Sequence, residues 1–136
     1  MQHVRDFRLT APPGPRAKAR LEEQEIAISV ADYLRVALPR HWFFIHVPNE
    51  GIRSKAAAGI QKRMGLLAGA PDLFVFGEGK AYAIEIKAPN GVVSLAQLDF
   101  QGMCSLAGVP YAICRSAPQV EASLRSWGVP LKGRCR

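Results

Sequence analysis

The 136-residue sequence predicts a single mixed α/β domain with the element order α-β-β-β-α-β-α. Three observations predict it. At 49% apolar and 21% charged residues, a chain of this length can bury a core without staples. Apolar residues recur at three- and four-residue steps in some segments, whereas other segments are short β-branched and aromatic runs. Glycine and proline punctuate nearly every switch between the two.

The elements follow in order. Residues 1–20 hold Pro12, Pro13, Gly14 and Pro15 among scattered basic side chains, which reads as a flexible basic arm. Ile26, Val30, Tyr33, Leu34, Ala37 and Leu38 form one helical stripe between Leu21 and Leu38, with Glu22, Glu23 and Glu25 expected in the first turns. Pro39 ends that helix. Phe43 to Val47 is a strand, closed by Pro48-Asn49-Glu50-Gly51. Residues 52–68 are ambiguous, since Gly59, Gly65 and Gly69 favour a loop with a helical piece. Asp72–Phe76 and Ala81–Lys87 are strands joined by the hairpin-length turn Gly77-Glu78-Gly79-Lys80, so they should pair antiparallel. Ser94 to Ala107 is a helix with a capping box at Ser94 and Gln97 and a glycine stop at Gly108. A strand at Pro110–Cys114 and a helix from Ser116 to about Trp127 complete the body. The expected organisation is an arm at 1–20, a domain at 21–128 and a short basic tail at 129–136.

Charge gives the first functional hint. The net charge is +7, and it is concentrated. Arg5, Arg8, Arg16, Lys18 and Arg20 lie in the first twenty residues, Arg53, Lys55, Lys62 and Arg63 in the ambiguous segment, and Lys132, Arg134 and Arg136 at the end. Basic segments around an acidic middle suit a polyanion, because phosphate contacts release counterions. No run approaches the ~20 apolar residues of a membrane span, and the first residues lack the apolar stretch of a secretory signal. Cys104, Cys114 and Cys135 form no CxxC pair, which argues against a disulfide framework or thiolate zinc site and points to a reducing cytoplasm.

The third strand carries the chemistry. Ile84 and Ile86 face one way, Glu85 and Lys87 the other. A turn near 77–80 puts Asp72 opposite residue 85, so two carboxylates converge beside a lysine. Such charges repel unless a proton or cation lies between them. Magnesium suits that arrangement, being held by one or two carboxylates with water and substrate phosphate, and a lysine can position water or stabilise a pentavalent phosphate.

Pro71-Asp72, then twelve residues, then Glu85-Ile86-Lys87, resembles the PD-(D/E)XK nuclease superfamily. The surroundings resemble its virus-type replication-repair nuclease (VRR-NUC) family over Glu23 to about Cys114. The matching pieces are the acidic start of the first helix, His46-Val47-Pro48-Asn49, Arg53-Ser54, Gly65, Gly69-Ala70-Pro71-Asp72-Leu73, Glu85 to Gly91, and Ser94 with Gln97. The resemblance implies a restriction-endonuclease-like core, a mixed central sheet flanked by helices. It implies Mg2+ or Mn2+ held by Asp72, Glu85 and the Ile86 carbonyl, a transition-state or water-positioning role for Lys87, and an active-site role for Gln97. It also implies a carboxylate from the first helix, assigned to Glu23 with Glu22 and Glu25 as rivals. The activity implied is phosphodiester hydrolysis in DNA, with branched DNA such as four-way junctions cut by a homodimer, in a phage or bacterial repair setting. A nickase, an exonuclease or a non-cleaving DNA-binding module are the alternatives.

Plainer readings stand beside these. Glu85 and Lys87 also fit an exposed same-face pair of little energetic weight. Gln97 is expected to serve either its cap or the site. His46 fits a hydrogen-bonded wall residue, Trp42 and Trp127 fit the core, and the cysteines fit small apolar fillers. Arg53, Lys55, Lys62 and Arg63 are the expected DNA contacts.

Overall fold

The computed structural model describes residues 11–48 and 54–136. Its elements are α1 (Pro15–Ala37), β1 (Phe43–His46), α2 (Lys55–Arg63), β2 (Leu73–Gly77), β3 (Lys80–Ile86), α3 (Leu95–Ala107), β4 (Tyr111–Cys114) and α4 (Ala117–Ser126). The four strands form one sheet in the order β1-β2-β3-β4. The first two pairings are antiparallel and β3–β4 is parallel, with α3 as the crossover between them. The mixed α/β architecture is the one the sequence predicts.

Alternation along the strands decides which face is filled. Leu73, Val75, Tyr82, Ile84, Ile86 and Cys114 point into a core shared with Val30, Leu34 and Ala37 of α1 and Val120 and Leu124 of α4. Leu34, Ile84, Ile86 and Leu124 are fully buried, each contributing roughly 1.5–3 kcal/mol. Trp42, Tyr82 and Trp127 stack in series at 6.1 and 5.8 Å, so both tryptophans pack against the core. Gly77 makes this possible, because a Cβ there would overlap the Trp42 indole. The β2–β3 turn has positive φ at Glu78 (53°) and Gly79 (75°), the signature of a two-residue type I′ hairpin. It fixes Leu73 opposite Ile84.

The structure corrects the sequence reading in two places and gives bounds to it in a third. First, α1 begins at Pro15, so the expected arm at 1–20 loses its last six residues to the helix. Pro15 sits at the first helical position, where its missing N–H is an orphan in any case. The helix's first turn is therefore without acid, and Glu22, Glu23 and Glu25 lie deeper in it. Second, the helical piece expected within 52–68 is residues 55–63, with the Ser54 side chain accepting from the Ala57 amide at 3.1 Å, although the helix buries no residue. Third, the short basic tail expected at 129–136 packs onto the domain. Val129 and Leu131 are buried, and Lys132 donates its amide to the Ala37 carbonyl at 2.7 Å. Tyr33 and Arg125 donate to the Gly133 carbonyl at 3.0 and 2.6 Å. Glu121 accepts from the Cys135 amide at 2.7 Å and from Arg125 at 2.9 Å, and these two partners, the amide foremost, hold its carboxyl below the ordinary range. Cys104 and Cys114 are buried, and all three cysteines are free. Among the described residues no helix is long and apolar enough to cross a membrane.

Candidate active site

One cleft of about 540 Å³ opens between α1 and the ends of β1, β2 and β3. Asp72, Glu85, Ile86, Lys87, Gln97 and Glu23 all line it. Each is placed by local structure. Asp72 immediately precedes β2, and continuing the antiparallel register puts it opposite Glu85. Its Oδ2 accepts from the Ile86 amide at 2.6 Å, so the β2 end is tied to β3 at the position between Glu85 and Lys87. Its carbonyl accepts from the Val47 amide at 2.7 Å, extending the join to the end of β1. Gly69, at φ 78°, lets this segment pass against α3, since a Cβ there would overlap the Ala96 backbone.

Glu85 is 4% exposed. Its Oε1 accepts from Gln97 Nε2 at 2.8 Å, while its buried Oε2 has no hydrogen-bond partner. Burial raises its pKa first. The neighbouring Asp72 carboxylate raises it further, Lys87 opposes them, and Glu23 adds to the rise, leaving the carboxyl at about 9. A carboxylate pair with an unpartnered buried oxygen is either protonated or bridged by a cation.

Gln97 does two things at once, against the expectation that it must choose. Its Oε1 accepts from the Ser94 amide at 2.9 Å and Ser94 Oγ accepts from the Gln97 amide at 3.2 Å, completing the capping box. Its Nε2 remains free to bond Glu85. The carboxamide has an acceptor end and a donor end, and the cap uses only the acceptor.

Of the three candidate α1 carboxylates, Glu23 is the one that lines the cleft. Its Oε1 accepts from the Ala88 amide at 3.3 Å in the cleft. Glu22 instead lies 3.8 Å from Lys18, and Glu25 lines a different groove beside Tyr33 and Arg134. Lys87 is half-buried, its amide held by the Cys114 carbonyl at 2.9 Å. His46 lines the cleft but is exposed, with no hydrogen-bond partner among the described residues, so the wall-residue reading holds for its place and not for its bonding.

The expected DNA contacts are dispersed. Lys55, Lys62 and Arg63 are exposed on α2, outside the cleft lining, and Arg53 lies outside the described residues. Two arginines were missed. Arg20, assigned to the arm, lines the cleft from α1. Arg115 donates to three carbonyls of the loop that follows β3, at Ala88, Pro89 and Gly91. Its position directly after a strand was the only signal in the sequence.

No three His, Cys, Asp or Glu side chains form a metal-holding cluster among the described residues. The Asp72 and Glu85 carboxylates, with the Ile86 carbonyl expected from the resemblance, could offer oxygen donors in the cleft. That set fits a hard divalent ion such as Mg2+, which keeps several waters. Glu85 Oε2 is the buried oxygen such an ion would satisfy.

An acid pair and a lysine on adjoining strand ends, under a helix-borne glutamine, form a cleft that could hold a divalent ion and a phosphate. The comparisons with known proteins place it further. The family model for the VRR-NUC domain matches residues 22–118, and the chain belongs to that family. Membership carries a nuclease-type function with DNA as substrate. Among solved structures, a VRR_NUC domain protein superposes with a TM-score of 0.60 at 22% identity, covering 76% of this chain and 84% of the other. A second, titled VRR_NUC domain, gives 0.52 at 19% identity over 78% and 97%. Both show the shared fold. No curated protein matches the chain.

Proposed function

We propose that the chain is a Mg2+- or Mn2+-dependent DNA endonuclease that acts on branched DNA, four-way junctions included, as a homodimer. The observation that carries the metal-dependent reading is Glu85: a buried carboxyl raised to about 9, with one oxygen unpartnered, beside Asp72. Asp72, Glu85 and the Ile86 carbonyl would hold the ion. When bound, such an ion lowers the pKa of a coordinated water and neutralises charge on phosphate oxygens. The chain's own groups do the rest. Gln97 fixes the Glu85 carboxylate through a 2.8 Å bond, so its orientation does not depend on substrate. Lys87 places an ammonium at the cleft wall, where it stabilises negative charge growing on phosphate. Arg20 adds a cation on the α1 side.

The dimer reading draws support from α3. Leu95, Leu98 and Leu106 are 80%, 48% and 93% exposed, and Asp99 is the helix's only charged residue. A basic protein would not read DNA with that face, but two copies could bury it. Two sites related by a twofold axis suit paired cuts on opposing strands.

The test is cleavage of four-way, flap, nicked, duplex and single-stranded DNA with Mg2+, Mn2+ or Ca2+, alongside light scattering. Paired symmetric cuts at the junction with Mg2+ and a dimeric mass support the proposal. Calcium should support binding with little cutting, because its looser coordination orients water poorly. End-dependent shortening would instead establish an exonuclease, and a monomer on DNA would remove the paired-site geometry.

A further inference from the structure

We propose that Arg115 is a positioning residue of the nuclease site, acting through the loop that connects Lys87 to Gln97; the inference rests on the nuclease reading. Because β3 and β4 run parallel with Ile86 beside Cys114, the chain leaves both strands side by side. Lys87 is the first residue beyond β3 and Arg115 the first beyond β4. The Arg115 Nη1 donates to the Ala88 carbonyl at 2.6 Å, the Gly91 carbonyl at 2.9 Å and the Pro89 carbonyl at 3.2 Å.

Ala88 is thereby gripped from two sides. Glu23 accepts from its amide at 3.3 Å while Arg115 donates to its carbonyl. The loop has little else to hold it. Its own backbone contributes the Gly91 amide to the Ala88 carbonyl at 2.9 Å, Asn90 is exposed and Val92 is 85% exposed. Arg115 is itself fixed, since its backbone amide donates to Gln119 Oε1 at 2.7 Å on α4. Among the described residues it forms no ion pair, so its guanidinium is committed to this loop. All three bonds come from one nitrogen, whose two hydrogens are shared among the three carbonyls. At one end the loop sets where the Lys87 backbone leaves the sheet. At the other it sets where Ser94 starts α3, and so where Gln97 meets Glu85. A displacement near 1 Å in such a constellation costs about 10²-fold in rate.

The experiment compares wild type, Arg115→Ala and Arg115→Lys by steady-state cleavage and by amide hydrogen exchange. Arg115→Ala should lose about 10–100-fold in kcat with KM for DNA nearly unchanged. Exchange should accelerate at residues 88–94 and not in β2 or β3. Methylguanidinium should restore part of kcat and slow the loop again. Arg115→Lys should fall between the two, and it serves if the alanine variant does not fold. Unchanged kcat, or a raised KM with kcat intact as for a phosphate contact, would overturn the proposal. So would faster exchange across the whole domain. If wild type cuts no DNA, the nuclease reading fails by itself, and exchange at 88–94 still decides whether Arg115 holds the loop.

Discussion

Replacing Glu85 by glutamine should stabilise the metal-free protein while abolishing cleavage. With its carboxyl raised to about 9 from an ordinary 4.5, Glu85 keeps its proton in the folded chain at neutral pH and loses it in the unfolded one. A group with a raised folded pKa contributes its stability below the unfolded value and loses it as pH rises toward the folded value. At pH 7 the loss spans two and a half pH units, or roughly 3 kcal/mol at about 1.4 kcal/mol each. Glutamine has no such proton to gain, and its carbonyl can still accept from Gln97. Thermal unfolding in EDTA should therefore show Glu85→Gln melting higher by roughly 10 °C at pH 7. The gap should shrink towards zero near pH 4.5. Added Mg2+ should raise the wild-type midpoint and leave the variant's unchanged. A variant destabilised at pH 7, or a gap independent of pH, would refute the reasoning that burial and Asp72 repulsion dominate at this residue.

Three further outcomes follow from named contacts. Lys87→Met should reduce kcat by 10²–10⁴-fold while Mn2+ binding, followed by calorimetry, persists, since the side chain acts on phosphate and not on the ion. Ser94→Ala should cost about 1 kcal/mol in denaturant unfolding through the lost cap but retain much of the cleavage rate, whereas Gln97→Leu should lose both, because one carboxamide serves cap and carboxylate. Deleting residues 1–13, which leaves the Gly14 cap and Pro15 in place, should weaken DNA binding and flatten its salt dependence by the two arginines removed net of Asp6.

Much of this was legible in the chain, and the exceptions have physical causes. The Asp72–Glu85 pairing followed from counting back around a two-residue turn, because an antiparallel register is arithmetic once the turn is known. That Glu85 and Lys87 face away from Ile84 and Ile86 followed from strand alternation. The start of α1 did not, since proline breaks a helix interior yet fits its first position, and only tertiary context separates the two. Helix α2 was legible only as a helical piece without bounds, because it buries no residue. The C-terminal segment looked polar because its two buried residues, Val129 and Leu131, are few, while its anchors are backbone bonds to Ala37, Tyr33, Glu121 and Arg125 that no periodicity records. Glu23 could not be separated from Glu22 and Glu25 without the Ala88 amide, which is 65 residues away in the chain. Arg115 was invisible for the same reason: its partners are carbonyls, which every residue has.

The central claim is that Asp72 and Glu85 share one divalent ion. Anomalous diffraction from crystals grown with Mn2+ tests it most directly. A single peak within coordination distance of both carboxylates and the Ile86 carbonyl, absent in Glu85→Gln, is the result this account requires. A manganese peak elsewhere, or none at millimolar Mn2+, would contradict it.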